Sequence, residues 1–220
     1  MSGLWASLVY SLLIAVPATA AAALLAVPVA YVTARHRFAG RSALEAAIIV
    51  PLVLPPTVVG YLLVVLLGRR GLLGGWIGDV TGGYSLMFRP EGGMLAAAVV
   101  AAPLIYLPAR AAFASVEREM LDIARVNGAS RWQTFWLVAL PIAWRGVASG
   151  LVLGFARTLG EFGATVMVMG YATGTRPMTL PVLVYHQWEQ GRPHDAAGPV
   201  LLLIAVALVL AVLFNRIPKA

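Results

Sequence analysis

The first charged residue of this chain is Arg35, so every side chain from Met1 to Ala34 is neutral. The heart of that run, LVYSLLIAVPATAAAALLAVPVAYVTA, exceeds the ~20 apolar residues that a bilayer-spanning helix needs. A helix of that length and character has nowhere to bury itself in a small soluble domain. The rest of the chain agrees, being 60% hydrophobic and 11% charged, where soluble domains carry roughly 25% charged residues. No Lys or Arg precedes the apolar core, and the run does not stop after its Ala-rich patch. It therefore reads as a tilted or kinked span and not as a cleaved signal peptide. Pro17 and Pro28 fit as kinks whose freed carbonyls find partners on a neighbouring helix.

With 220 residues, at ~20 per span plus loops, the chain suits one transmembrane domain, residues 1–220, of about five helices. The fold class is all-α and polytopic. The second span runs from Leu44 to Leu67, with Glu45 at its cytoplasmic edge and a broken middle, PLVLPPTVVGY, where Pro51, Pro55 and Pro56 remove donors. Residues 68–92 read as a Gly-rich outer loop with a short interfacial piece near Trp76. A third span, Gly93 to Ala109, is rich in small residues that permit close helix contact.

Between Arg145 and Arg157 only eleven residues are uncharged, too few for a separate span. One crossing from about Pro141 to Gly170 is expected instead, and at about 45 Å as continuous helix it must tilt, break or begin below the lipid surface. The apolar piece Met178 to Tyr185 is too short to span and suits an outer gate or a re-entrant segment; Ala196 to Phe214 is the last span. This arrangement gathers Arg35, Arg37, Arg41, Arg110, Arg118, Arg125, Arg131, Arg216 and Lys219 on one side. Arg69, Arg70, Arg89, Arg176 and Arg192 fall on the other. The larger group marks the cytoplasm, which puts the N-terminus out and the C-terminus in.

The net charge of +7 is scattered between apolar segments without a soluble basic face, so nucleic acid is not an expected partner. With zero cysteines, disulfides, thiolate metal sites and a cysteine nucleophile are excluded. His36, His186 and His194 are dispersed, without the spacing of a metal site. No P-loop, Gly-Xaa-Ser-Xaa-Gly elbow or HExxH occurs, so no catalytic residue, metal or cofactor is expected on this chain.

One strongly charged segment, residues 115–141, interrupts the apolar ones. Ser115 can N-cap a first helix containing Glu117 and Glu119, Asn127-Gly128 can stop it, and Ser130 with Gln133 has the spacing of a capping box for a second. Asp122-Ile123-Ala124, three residues, Gly128, nine residues, Val138, one residue and Leu140-Pro141 resembles the EAA loop of ABC-importer permeases, E-A-A-x3-G-x9-I-x-L-P. Asp122 stands for the family's Glu and Ile123 for its first Ala. The resemblance implies a type I ABC-importer permease fold whose cytoplasmic coupling helix docks on an ATPase. Glu119, Asp122, Ile123, Ala124, Asn127, Gly128, Ala129 and Ser130 are the residues it places at that contact.

Two further stretches narrow the family. LPPTVVGYLLVVLLGRRGLLG resembles molybdate-transporter permeases, and GFARTLGEFGATVMVMG resembles the signature of molybdate, tungstate and sulfate permeases. Arg157 and Glu161, four apart, can pair on one helix face. An ionisable pair inside a membrane belongs at a bundle interior or a water-filled path. Thr57, Arg157, Glu161 and Thr165 are thus candidates for an oxyanion pathway, while a structural ion pair and a Thr answering freed carbonyls fit the same residues.

By this resemblance, two copies of the chain would line one path, and a cytoplasmic ABC ATPase dimer would supply energy from ATP and Mg. An extracytoplasmic binding protein would deliver molybdate, with tungstate, sulfate or thiosulfate as alternatives. A passive anion channel could also hold an Arg/Glu pair but would not need the EAA loop.

Overall fold

In the computed structural model, which describes residues 2–171 and 177–217, the chain is helical almost throughout. Arg176 and Lys219, both counted above for charge bias, lie outside the described residues. The long helices are α1 (Ser2–Arg35), α5 (Pro90–Ser115), α8 (Leu140–Leu159) and α11 (Ala197–Arg216). Between them lie α2 (Arg41–Val53), α3 (Pro56–Leu67), α4 (Leu72–Thr81), α6 (Arg118–Val126), α7 (Arg131–Thr134), α9 (Gly163–Met169) and α10 (Leu180–Glu189). Among the described residues, four stretches are long and apolar enough to cross a membrane, and α2 with α3, bent by 119°, would make a fifth.

Helix α5 is the centre of the bundle, and small residues put it there. Along α1, Ala15, Ala18, Ala22, Ala26 and Ala30 recur at helical spacing and are buried, so α1 presents a nearly flat stripe. The α5 residues Ala97, Ala98, Ile105, Tyr106, Ala109 and Phe113 share the same buried core with that stripe. On the other side, α8 presents Gly146, Gly150 and Gly154, one per turn. A Cβ on Gly150 would stand 2.8 Å from the Ile105 carbonyl oxygen, and one on Gly154 would stand 2.5 Å from Ile105 Cγ1. The small residues expected to allow close contact in the third span are therefore taken up within the chain, between α1 and α8.

Helix directions follow from these contacts. The Arg35 guanidinium at the end of α1 donates to the Val116 carbonyl just past the end of α5, and Thr33 bonds the Tyr106 hydroxyl at 2.8 Å. At the far end, Tyr10 of α1 reaches Met169, and Met169 also faces Gly93 at the start of α5. Helices α1 and α5 thus run the same way, so the chain changes ends between Arg35 and Pro90. This makes α2 and α3 one broken crossing and not an out-and-back loop. Helix α8 runs against α5, from Ala112 beside Gly146 to Ala101 beside Gly154, and α9 continues to the level of Gly93, giving the single broken crossing expected from the charge spacing.

Three local expectations change. Ser115 does not cap α6: it is the last residue of α5, its hydroxyl donates to the Ala112 carbonyl, and Glu117 takes the N-cap position. The third span extends past Ala109 to Ser115, because Arg110 is matched by Glu45 of α2 at 3.1 Å and need not end the helix. The fourth helical stretch begins at Arg131, ten residues before Pro141. It crosses that region through a π-helical turn, Phe135–Ala139. There the Leu140 N–H reaches back to the Phe135 carbonyl, and the next residue, Pro141, has no N–H to give.

The α5–α8 seam yields a direct test. Gly150→Leu forces a side chain against the α5 backbone and should cost ~1–3 kcal/mol, read as a lower midpoint of thermal unfolding by tryptophan fluorescence in detergent. Gly75→Ala, whose added methyl would stand 3.6 Å from the Arg69 carbonyl oxygen, should leave the midpoint unchanged or slightly raised.

Candidate functional site

The charged segment folds as helix, elbow, helix at the end of the bundle where α1 and α5 terminate. Helix α6 stops at Gly128, whose φ of +87° is open to glycine at little cost. The Ala129 N–H donates to the Ala124 carbonyl at 3.0 Å and the Gly128 N–H to the Arg125 carbonyl at 2.9 Å, the two bonds of a Schellman stop. Two residues later the capping box forms in full, with Ser130 N–H on Gln133 Oε1 at 2.8 Å and Gln133 N–H on Ser130 Oγ at 3.2 Å. The turn of the elbow is therefore fixed by hydrogen bonds within its own few residues.

Glu119, Asp122, Ile123, Asn127, Gly128 and Ser130 are exposed on it, and Ala124 and Ala129 are half-buried. Asp122 makes a long 3.4 Å ion pair with Arg125. Leu121, not singled out from the sequence, is the anchor: it is buried with Phe113, Val116 and Phe135 in the main core. Its signal was the apolar and charged alternation of SVEREMLDIARV, which leaves Met120, Ile123 and Val126 exposed on the helix.

The second constellation lies at the break between α8 and α9. The break is level with the middle of α1, since Thr158 bonds Thr19 at 2.9 Å and also reaches the Ala15 carbonyl. Arg157, in the last turn of α8, places Nη2 2.6 Å from Glu161 Oε2, with the Arg157 side chain 28% exposed and that of Glu161 1% exposed. The contact is ionic, because that oxygen makes no bond of hydrogen-bond geometry. The other carboxylate oxygen, Oε1, accepts the Ala164 N–H at 2.8 Å, near the start of α9. Glu161 thus sits past the end of α8 and ties two helix ends together, a bridge across the break instead of a pair along one face.

The broken halves α3 and α9 lie side by side and start together. A Cβ on Gly163 would stand 3.1 Å from both Cγ2 and N of Thr57, and one on Gly60 would stand 2.8 Å from Ala164 Cα. Thr57 is exposed at the start of α3, so three of the four pathway candidates gather around the two breaks. Thr165 does not join them. It is buried, its methyl faces Gly93 of α5, and its hydroxyl has no hydrogen-bond partner.

Beside the break is an aromatic group that sequence reading did not assemble: Phe162 and Tyr185 with ring centroids 4.9 Å apart, Tyr171 stacked on Tyr185, and Trp188 beyond. Tyr185 and Trp188 belong to α10, which starts level with Ser11, whose hydroxyl accepts the Leu180 N–H at 2.8 Å. Desolvation pushes the Tyr171 hydroxyl above its ordinary range, with the hydrogen bond to Tyr185 next in effect.

The sequence matches the family described as binding-protein-dependent transport system inner membrane component over residues 24–220. The chain belongs to that family. It is a multi-pass inner-membrane transport component. It is 38% identical over 196 residues to the Molybdenum transport system permease protein ModB of Haemophilus influenzae, covering 89% of this chain and 85% of that protein. It is 39% identical over 181 residues to ModB of Escherichia coli K12, covering 82% of this chain and 78% of that one. A probable sulfate transport system permease of Chlorella vulgaris is 33% identical over 195 residues, covering 87% of this chain and 71% of that protein. In fold, the chain is similar to a bacterial alginate ABC transporter solved with an alginate pentasaccharide-bound periplasmic protein. The TM-score is 0.67 at 20% identity, over 98% of this chain and 78% of that one. For this permease family member, the elbow and the breaks are the two places where the sequence signatures meet defined geometry.

If Glu161 bridges the helix ends, Glu161→Ala should lower folding stability by roughly 2–3 kcal/mol, because an amide loses its acceptor and a guanidinium its counter-charge inside the membrane. Glu161→Gln, which keeps an oxygen for the Ala164 N–H, should cost less than half as much. Equal and negligible shifts in denaturation midpoint for both variants would remove the bridging role.

Proposed function

We propose that this chain is the membrane permease subunit of an ATP-driven importer for molybdate. The observation that carries the reading is mechanical. The exposed elbow around Gly128 continues through α7 and the π-helical turn into α8, so one helical stretch, Arg131–Leu159, joins the docking surface to Arg157. A push on the elbow is thereby delivered at the α8–α9 break. The named relatives support molybdate as the cargo.

The elbow faces the cytoplasm, where a separate ATPase dimer with its ATP and Mg engages Glu119, Asp122, Ile123 and the Asn127–Ser130 turn. On that assignment α1 starts outside and α11 ends inside, in keeping with the positive-inside bias. Two copies of the chain enclose the path, and an external binding protein presents the anion on the side where α10 and the aromatic group lie. This subunit carries out no bond chemistry of its own.

At the path, Glu161 is already held by the Ala164 amide and by Arg157, and Thr57 offers a hydroxyl beside them. An anion passing the breaks would meet a guanidinium whose charge is partly offset, which lowers the barrier without creating a deep trap. Thr165, turned toward α5, plays no part in this reading. The sulfate-permease relative keeps sulfate as the second cargo to be tested.

Reconstituted with its ATPase and binding protein, the chain should support ATP-dependent uptake of molybdate in preference to sulfate. Uptake of neither, with the ATPase bound and active, would reject the oxyanion assignment. Arg157→Gln should slow molybdate uptake at least tenfold while ATPase binding is retained; normal uptake would remove Arg157 from the path. Gly128→Pro, which takes away both the elbow's left-handed geometry and the N–H donated to the Arg125 carbonyl, should leave the chain in the membrane but separate ATP hydrolysis from uptake.

A further inference from the structure

A groove of about 730 Å³ runs between α1 and the α7–α8 junction, away from both the breaks and the exposed face of α6. Its floor is apolar because Ala20 and Ala23 of α1 are small and Phe135 lies at the start of the π-helical turn. Leu24 forms one rim; Trp132 and Trp136, with ring centroids 5.5 Å apart, form the other. The α1 part of the lining extends from Ala20, near mid-helix, to Val32, close to the elbow end. The twelve helical rises from Ala20 to Val32 correspond to about 18 Å, against a leaflet's hydrocarbon depth of roughly 15 Å, half the bilayer core. A trough of that length, running from mid-membrane to the interface, matches one extended acyl chain.

Its charge is equally directional. Arg131 is the one cationic residue of the lining, it is exposed, and among the described residues it takes part in no ion pair. It stands beside Trp132, which is 69% exposed, the composition of an interfacial belt where headgroups lie. A guanidinium at the headgroup level presents paired donors to a phosphate, and basic pockets between membrane helices are recurrent sites for anionic headgroups. A protein helix seated in the same groove would need a carboxylate at that one point and would gain nothing from the graded depth.

We propose that this groove is a binding site for one anionic phospholipid, with an acyl chain along Ala20, Ala23 and Phe135 and the phosphate on Arg131. The lipid then bridges α1 to α7, the second helix of the elbow, so the leaflet's composition bears on how firmly the elbow is held. The site stands whether or not molybdate is the cargo.

The test uses the full chain in detergent, titrated with phosphatidylglycerol or phosphatidylcholine and read as retained lipid by native mass spectrometry. Phosphatidylglycerol should be retained about fivefold better than phosphatidylcholine, the ratio expected from ~1 kcal/mol of attraction at one arginine. Arg131→Gln should abolish that preference. Ala20→Phe, which fills the trough from an exposed position, should reduce retention of both lipids by a similar factor while the thermal midpoint stays put. Because the chain has no cysteine of its own, Ala20→Cys carrying a photoactivatable label reports the occupant directly in native membranes. Lipid adducts support the site; adducts to a second copy or to another protein overturn it. Equal retention of the two lipids by the wild type, or a preference untouched by Arg131→Gln, overturns it as well.

Discussion

The contact on which the rest of this structure depends is the approach of α8 to the α5 backbone at Ile105. Within a bilayer, helices gain little by hiding apolar area from one another, so association rests on close van der Waals fit. Gly150 and Gly154 allow that fit on one side of α5, and the alanine stripe of α1 allows it on the other. Larger residues at these positions would hold the helices apart and remove the frame on which both broken crossings hang. Along α11 the large apolar side chains are correspondingly turned outward, and little of that helix is buried.

That frame is what makes the breaks tolerable. Interrupting a helix at mid-depth frees amides and carbonyls in a place without water, and each needs a partner. At the second break, Glu161 accepts from the start of α9 and pairs with the last turn of α8, while Thr158 reaches across to Thr19. The same carboxylate therefore serves structure and electrostatics together. The choice between a structural pair and a pathway pair, open from sequence, becomes under the proposed function a division of labour in which Glu161 holds the helix ends and the partly exposed Arg157 would meet the anion.

The elbow shows a different economy. Its shape comes from a glycine stop and a capping box, and Leu121 alone among its α6 residues is buried. Because the second helix runs on into α8, the exposed elbow at one end of the bundle and the charge at mid-depth share one helical stretch. The proposed lipid groove is lined by the same α7–α8 junction, so under the two proposals the leaflet and a soluble partner would both act on one helix.

Much of this was determined by local sequence. The uncharged first 34 residues dictate a span, Pro55-Pro56 dictates a break, and Asn127-Gly128 followed by Ser130 and Gln133 dictates the elbow, because each acts through its own backbone within a few residues. The EAA spacing and the two permease-like stretches likewise lie in short windows and pointed to the family that the comparisons bear out. Tertiary structure decided what depends on distant partners. Ser115 stayed in α5 instead of capping α6, the third span ran past Arg110 because Glu45 of α2 matches it, and Thr165 turned toward Gly93, away from Arg157. The aromatic group of Phe162, Tyr171 and Tyr185, and the trough between α1 and Phe135, exist only once helices far apart in sequence are brought together. Helix periodicity says which residues share a face; only packing says what that face meets.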